Sequence, residues 1–113
     1  MKKILIVEDN RFASLCAKKR LSSIGYECHT AGSGEVAIQL FMDNLYDIIL
    51  MDLNLGEGCT SGYETTEIIR KLEIKNNKER SIIIALTSSP KKSAYQSCIN
   101  SGMNDLLEKP LNT

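Results

Sequence analysis

Five short runs recur along this chain: KILIV (3–7), YECHT (26–30), DIILM (47–51), IIIAL (82–86) and DLL (105–107), each followed by a longer segment. Continuous apolar runs of four or five residues, rich in isoleucine and valine, are too short for buried helices. They read as strands covered on both faces. YECHT alternates instead and makes a weaker strand. The intervening segments carry helical spacing. Asn10 can cap a helix with Ala13, Ala17, Leu21 and Ile24 on one face, ended by Gly25. Ser33-Gly34 precedes a second helix with Val36, Ala37, Leu40, Phe41 and Leu45 on its stripe. The glycine-rich GEGCTSG (56–62) leads into a third, carrying Thr65, Ile68, Ile69 and Leu72.

The charged EIKNNKERS (73–81) reads as a solvated connector. Ser89 and Pro90 suit the cap and first turn of a fourth helix that buries Ala94, Tyr95, Cys98 and Ile99 and closes at Gly102. Strands joined by crossovers of this length pair in parallel, so the expected architecture is α/β, a doubly wound five-stranded parallel sheet with helices on both faces. With 113 residues, one domain spanning 1–113 is expected.

Composition removes several function classes. Fourteen basic residues balance fourteen acidic ones, so no global charge draws the chain to nucleic acid or an anionic membrane. No apolar run approaches the roughly 20 residues of a membrane span, and no secretory leader pattern is present. The scattered cysteines (Cys16, Cys28, Cys59 and Cys98) lack metal spacing and read as reduced thiols of a cytoplasmic protein. A zinc site is not expected, because His29 is the only histidine and reads as an exposed strand residue. AGSGE (31–35) has neither Walker nor dinucleotide spacing and reads as a turn and helix start.

In open parallel sheets, ligands bind outside the carboxyl ends of the strands. Just past the apolar runs stand Glu8 and Asp9, then Asp52, then Thr87, then Lys109. Two unit charges about 4 Å apart repel by roughly 4 kcal/mol at an effective dielectric near 20. Clustered carboxylates therefore hold extra protons or bind a cation. Oxygen donors without thiolate or imidazole favour Mg²⁺ or Mn²⁺. A hydroxyl on Thr87 and an ammonium on Lys109 suit phosphoryl oxygens. Asp52 arrives alone, without a neighbouring acid, and is the candidate acceptor of a phosphoryl group.

These segments resemble the receiver domains of two-component response regulators. ILIVEDN is similar to the family's first strand and acidic pair, and DIILMD to the strand ending on its phosphoacceptor. IIIALTS and SGMNDLLEKPL resemble its hydroxyl-bearing strand and its closing glycine-to-Lys-Pro signature. The resemblance covers Lys3 to Leu111 and implies a flavodoxin-like sheet of order 2-1-3-4-5. It implies phosphorylation of Asp52 by a histidine kinase or a histidine phosphotransfer protein. Mg²⁺ would be held by Asp9, Asp52 and the backbone carbonyl of Asn54, with Glu8 acting through water. Thr87 and Lys109 would contact the phosphoryl group, and Asn54 and Ser89 would help position the water that later hydrolyses it.

Three departures stand out. Leu106 occupies the place of an aromatic residue that moves with the hydroxyl. The loop after Asp52 is longer, with Gly62 ten residues on rather than eight. A fifth helix should follow Lys109-Pro110, yet the chain reaches only Thr113. That face beside the first helix is expected to lie uncovered, which is compatible with a homodimer. Two functions fit: a phosphoacceptor receiver that switches contacts with a downstream target, not an enzyme on a separate substrate, and a phosphorylation-independent module of the same fold. Neither calls for direct contact with nucleic acid or membrane.

Overall fold

The computed structural model describes residues 2–53, 61–87 and 92–109. In chain order the elements are β1 (Lys3–Val7), α1 (Arg11–Ser23), β2 (Glu27–Ala31), α2 (Gly34–Asp43), β3 (Ile48–Asp52), α3 (Gly62–Lys75), β4 (Ile82–Thr87), α4 (Lys92–Ser101) and β5 (Asp105–Glu108). The strands form one parallel sheet in the order β2-β1-β3-β4-β5, as the resemblance implied.

Side chains alternate between the two sheet faces because the strand period is two residues. Leu5, Val7, Ile49, Met51, Ile83 and Ala85 all point to one face. There they meet Ala37 and Phe41 of α2, Ile69 of α3 and Cys98 of α4. Ile4, Ile6, Leu50 and Leu86 point to the other face, against Leu21 of α1 and Cys28. Both sets are apolar, which is why the runs are continuous in sequence. The start and stop signals at Asn10, Ser33 and Gly25 operate as read, and Ser61 adds a cap that the sequence pattern did not single out. Asn10, Ser33 and Ser61 accept from the backbone N–H three residues on, at 3.0, 3.2 and 3.1 Å. Gly25 closes α1 with φ of 103°.

Several expectations are corrected. β2 and β3 each begin and end one residue later than read, and β4 and β5 each extend one residue further. Asp52 and Thr87 are therefore the last residues of their strands rather than the first beyond them. Among the α4 residues whose burial is described, only Cys98 is fully buried; Tyr95 and Ile99 are 48% and 39% exposed. This ten-residue helix turns one narrow line inward, so the broad stripe read from sequence overestimates its buried face. Leu45 and Ile24 lie beyond the ends of their helices and are exposed. His29 is half-buried, bonded to the Tyr46 hydroxyl at 2.7 Å and to Glu27 at 3.1 Å.

The connector 73–81 is not simply solvated. Glu73 and Ser81 are buried, and Arg70 reaches both: its Nη1 donates to the Glu73 carboxylate at 2.9 Å and to the Ser81 carbonyl at 2.7 Å. Arg70 also donates from Nε to the Gly102 carbonyl and from Nη2 to Asn104 Oδ1, both at 2.8 Å. The expected cap of α4 at Ser89 and Pro90, and Cys59, lie outside the described residues. Cys16, Cys28 and Cys98 are free thiols. Among the described residues, no helix is long and apolar enough to cross a membrane.

Removing one partner of a buried ion pair strands the other. Arg70→Met should therefore cost about 3–5 kcal/mol in urea unfolding. Arg70→Met with Glu73→Met should cost less than Arg70→Met alone. If the double variant is the less stable one, the pair is not the reason these charges tolerate burial.

Candidate functional site

The parallel register carries the candidate residues to one rim. Val7 pairs with Ala31 and Met51, Asp52 with Leu86, and Thr87 with Glu108. The ladder continues one residue beyond β1: the Glu8 N–H donates to the Ala31 carbonyl at 3.0 Å. It also continues beyond β5, where the Lys109 N–H donates to the Thr87 carbonyl at 2.7 Å. Glu8 and Lys109 are thus held by main-chain bonds, and their side chains are delivered from opposite sides of β3.

They meet at Asp52. The Lys109 ammonium lies 2.8 Å from Glu8 Oε2 and 3.0 Å from Asp52 Oδ2. Glu8 and Asp52 are buried, whereas Asp9 is exposed at the mouth. Carboxylate oxygens of Glu8, Asp9 and Asp52 lie within 4.8 Å of one another. Thr87 ends β4 beside this group, half-buried. Asn54 and Ser89 lie outside the described residues. The remaining five sequence candidates converge on one rim.

Burial raises the Glu8 carboxyl above its ordinary value, and its hydrogen bond with Asp52 raises it further; Lys109 pulls the other way and loses. Burial acts to lower Lys109, but hydrogen bonds to Glu8 and then Asp52, together with their charges, outweigh it and hold the ammonium above its usual range. One cation is thus shared among more anions than it can neutralise. Hard oxygen donors at this spacing, with no imidazole or thiolate among them, fit a divalent cation of the Mg²⁺ type. A cleft of about 570 Å³ lies elsewhere, lined by Lys3, Asp47, Ile48, Lys78, Arg80 and Ile82 among others, and shares no residue with this cluster.

Sequence reading missed one close neighbour of the site. Gly62 opens α3 and packs directly on the Asp52 main chain, with only 2.5 Å between the Asp52 carbonyl oxygen and the position a Cβ would take. The sequence singles out Gly62 only by its spacing from Asp52, and that spacing says nothing of a contact with the Asp52 main chain.

A family model for the response regulator receiver domain matches residues 4–113. The chain is 37% identical over 121 residues to hybrid signal transduction histidine kinase B of Dictyostelium discoideum, covering 100% of this chain and 6% of that protein. It is 32% identical to the sensor histidine kinase RcsC of Escherichia coli, covering 96% of this chain and 11% of that one. The chain therefore spans only a small part of these curated relatives. Among solved structures it is similar to the Saccharomyces cerevisiae receiver domain of Ssk1, co-crystallised with the histidine phosphotransfer protein Ypd1 (30% identity, TM-score 0.90, 98% of this chain and 80% of that one). It is also similar to the receiver domain of the Arabidopsis thaliana histidine kinase CKI1 complexed with Mg²⁺ (32% identity, TM-score 0.87, 98% and 85%).

The crowding predicts how stability depends on pH. A carboxyl raised in the folded state costs nothing below its unfolded value, where it is protonated in both states. Its cost grows as pH rises through the folded value. Glu8→Gln removes this cost, so the metal-free variant should unfold at higher urea than the parent at neutral pH, with the gap closing as pH falls toward the ordinary glutamate value of 4.5. An unchanged gap across that range would contradict the assignment.

Proposed function

The chain belongs to the response regulator receiver domain family, and from that premise we propose that it accepts a phosphoryl group from a phosphohistidine onto Asp52 and so switches its contacts with a downstream target. The observation that carries this reading is the buried Asp52 carboxylate held by Lys109 at 3.0 Å beside a second buried acid. An Asp52 oxygen attacks phosphorus in line. The new P–O bond forms as the P–N bond to imidazole breaks, and the departing nitrogen keeps the electron pair. Lys109 then exchanges part of its hold on Asp52 for the phosphoryl oxygens, and the Thr87 hydroxyl donates to another. Such positioning and charge stabilisation supply most of the catalysis in phosphoryl transfer.

Glu8, Asp9 and Asp52, with the Asn54 backbone carbonyl implied by the family resemblance, would hold Mg²⁺; Mn²⁺ suits the same oxygens. The ion, when bound, neutralises charge that builds on the transferring oxygens. In this reading the chain is a signalling receiver rather than an enzyme on a separate substrate. A donor charged from ATP puts it in the cytoplasm. Leu106 packs partly buried against the core and has no ring to reorient, so the response to phosphorylation runs through other groups.

The donor is a histidine kinase or a histidine phosphotransfer protein. α1 starts two residues after Asp9, and its Phe12 and Leu15 are 77% and 63% exposed. A protein that delivers phosphoryl to this rim must cover them.

Incubation with acetyl phosphate and Mg²⁺ should add one phosphoryl group to the intact mass, and none with Asp52→Asn or excess EDTA. No addition from any donor would favour the phosphorylation-independent module. Phe12→Ala with Leu15→Ala should slow transfer from a phosphorylated histidine phosphotransfer protein while sparing acetyl phosphate. Equal slowing with both donors would remove this face from the docking surface.

A further inference from the structure

Gly62 is present for a reason other than backbone conformation. Its φ lies outside the left-handed region, unlike Gly25 and Gly102. Gly62 is the first helical residue after the Ser61 cap, in a conformation that does not call for glycine, so its bare Cα points to a packing need. The contact supplies it. A Cβ on Gly62 would stand 2.5 Å from the Asp52 carbonyl oxygen, 3.3 Å from the Asp52 carbonyl carbon and 3.2 Å from Met51 Cγ. The methionine tip can move. The carbonyl oxygen cannot move freely, because it shares a planar peptide unit with the Leu53 N–H, which donates to the Leu86 carbonyl at 3.1 Å.

α3 has no slack on its own side. Thr65, Thr66 and Ile69 are fully buried, Ser61 caps the helix, and the Thr66 hydroxyl donates to the Gly62 carbonyl at 2.8 Å. A Cβ at this position must therefore tilt the Asp52–Leu53 peptide. Tilting that peptide rotates the backbone of the residue whose carboxylate faces Lys109.

We propose that Gly62 is a positioning residue: its bare Cα lets the first turn of α3 brace the Asp52 carbonyl, and this brace sets the aim of the Asp52 carboxylate toward Lys109. The inference rests on the reading of Asp52 as phosphoacceptor. It adds a residue from outside the charged cluster to the machinery that serves it. Gly32, whose added Cβ would meet nothing within 4 Å, is the matched control.

The test compares Gly62→Ala, Gly32→Ala and the parent chain, with acetyl phosphate and Mg²⁺ as the probe and circular dichroism for the folded fraction. Per folded molecule, Gly62→Ala should lose roughly ten- to a hundred-fold in rate at saturating acetyl phosphate, the scale of a misplaced reacting group. Its half-saturating concentration should stay within about twofold, since no contact to the donor is removed. Gly32→Ala should keep the parental rate. The Leu53 amide should exchange with solvent faster in Gly62→Ala, relative to the other β3 amides, a readout that requires no phosphorylation. A parental rate per folded molecule in Gly62→Ala, or unchanged Leu53 exchange, overturns the proposal. So does the absence of any folded population even in the cold with glycerol, which would make Gly62 a folding requirement instead. If the parent chain itself takes no phosphoryl group, the phosphoacceptor reading fails first, a result distinct from all of these.

Discussion

A single ammonium between two buried carboxylates organises the functional end of this molecule. Lys109 lies within 3.0 Å of both Glu8 and Asp52, and Asp9 adds a third acid at the mouth. Removing carboxylates from water is costly, and one cation offsets only part of the repulsion among them. The pocket is consequently poised: it is more anionic than its own lysine can balance, and a divalent cation or a proton relieves it. That tension costs stability, and its relief is what would supply affinity for a cation.

The sheet makes the arrangement possible. Glu8 and Lys109 are 101 residues apart, yet each is pinned by a main-chain hydrogen bond that prolongs a parallel ladder. Because β1 and β4 flank β3, and β5 flanks β4, residues at the strand ends are delivered to one rim without any loop having to fold over them. Two apolar layers hold the sheet rigid beneath that rim, so the charged groups have little freedom to separate. Gly62 extends the same logic to α3, whose first turn meets the Asp52 backbone rather than its side chain.

The parts legible in the sequence are those fixed by local pattern. Continuous apolar runs gave the strands, caps and glycines gave the helix ends, and a carboxylate, hydroxyl or lysine after each run gave the site. What escaped depends on contacts between distant segments. The helix stripes overstate burial at Tyr95 and Ile99 because periodicity marks a face but not how much of it a neighbour covers. Arg70 and Glu73 look like solvated charges until Ser81, Gly102 and Asn104 close around them. His29 looks exposed because its partner Tyr46 comes from the connection between α2 and β3, 17 residues away in sequence. The off-by-one strand ends have a related cause: a polar residue at the end of an apolar run looks like a boundary, yet the main chain of Asp52 and Thr87 still pairs.

Phosphoryl acceptance at Asp52 depends on convergence of these acids into one pocket that can hold a cation. Titration of the metal-free chain with Mg²⁺, followed by amide NMR, reads this most directly. One saturable site should shift the amides of Glu8, Asp9, Leu53 and Lys109 together along a single binding curve, and leave those of the opposite rim, at Lys3 and Ile82, unmoved. No saturation, or shifts scattered over both ends of the sheet, would contradict it.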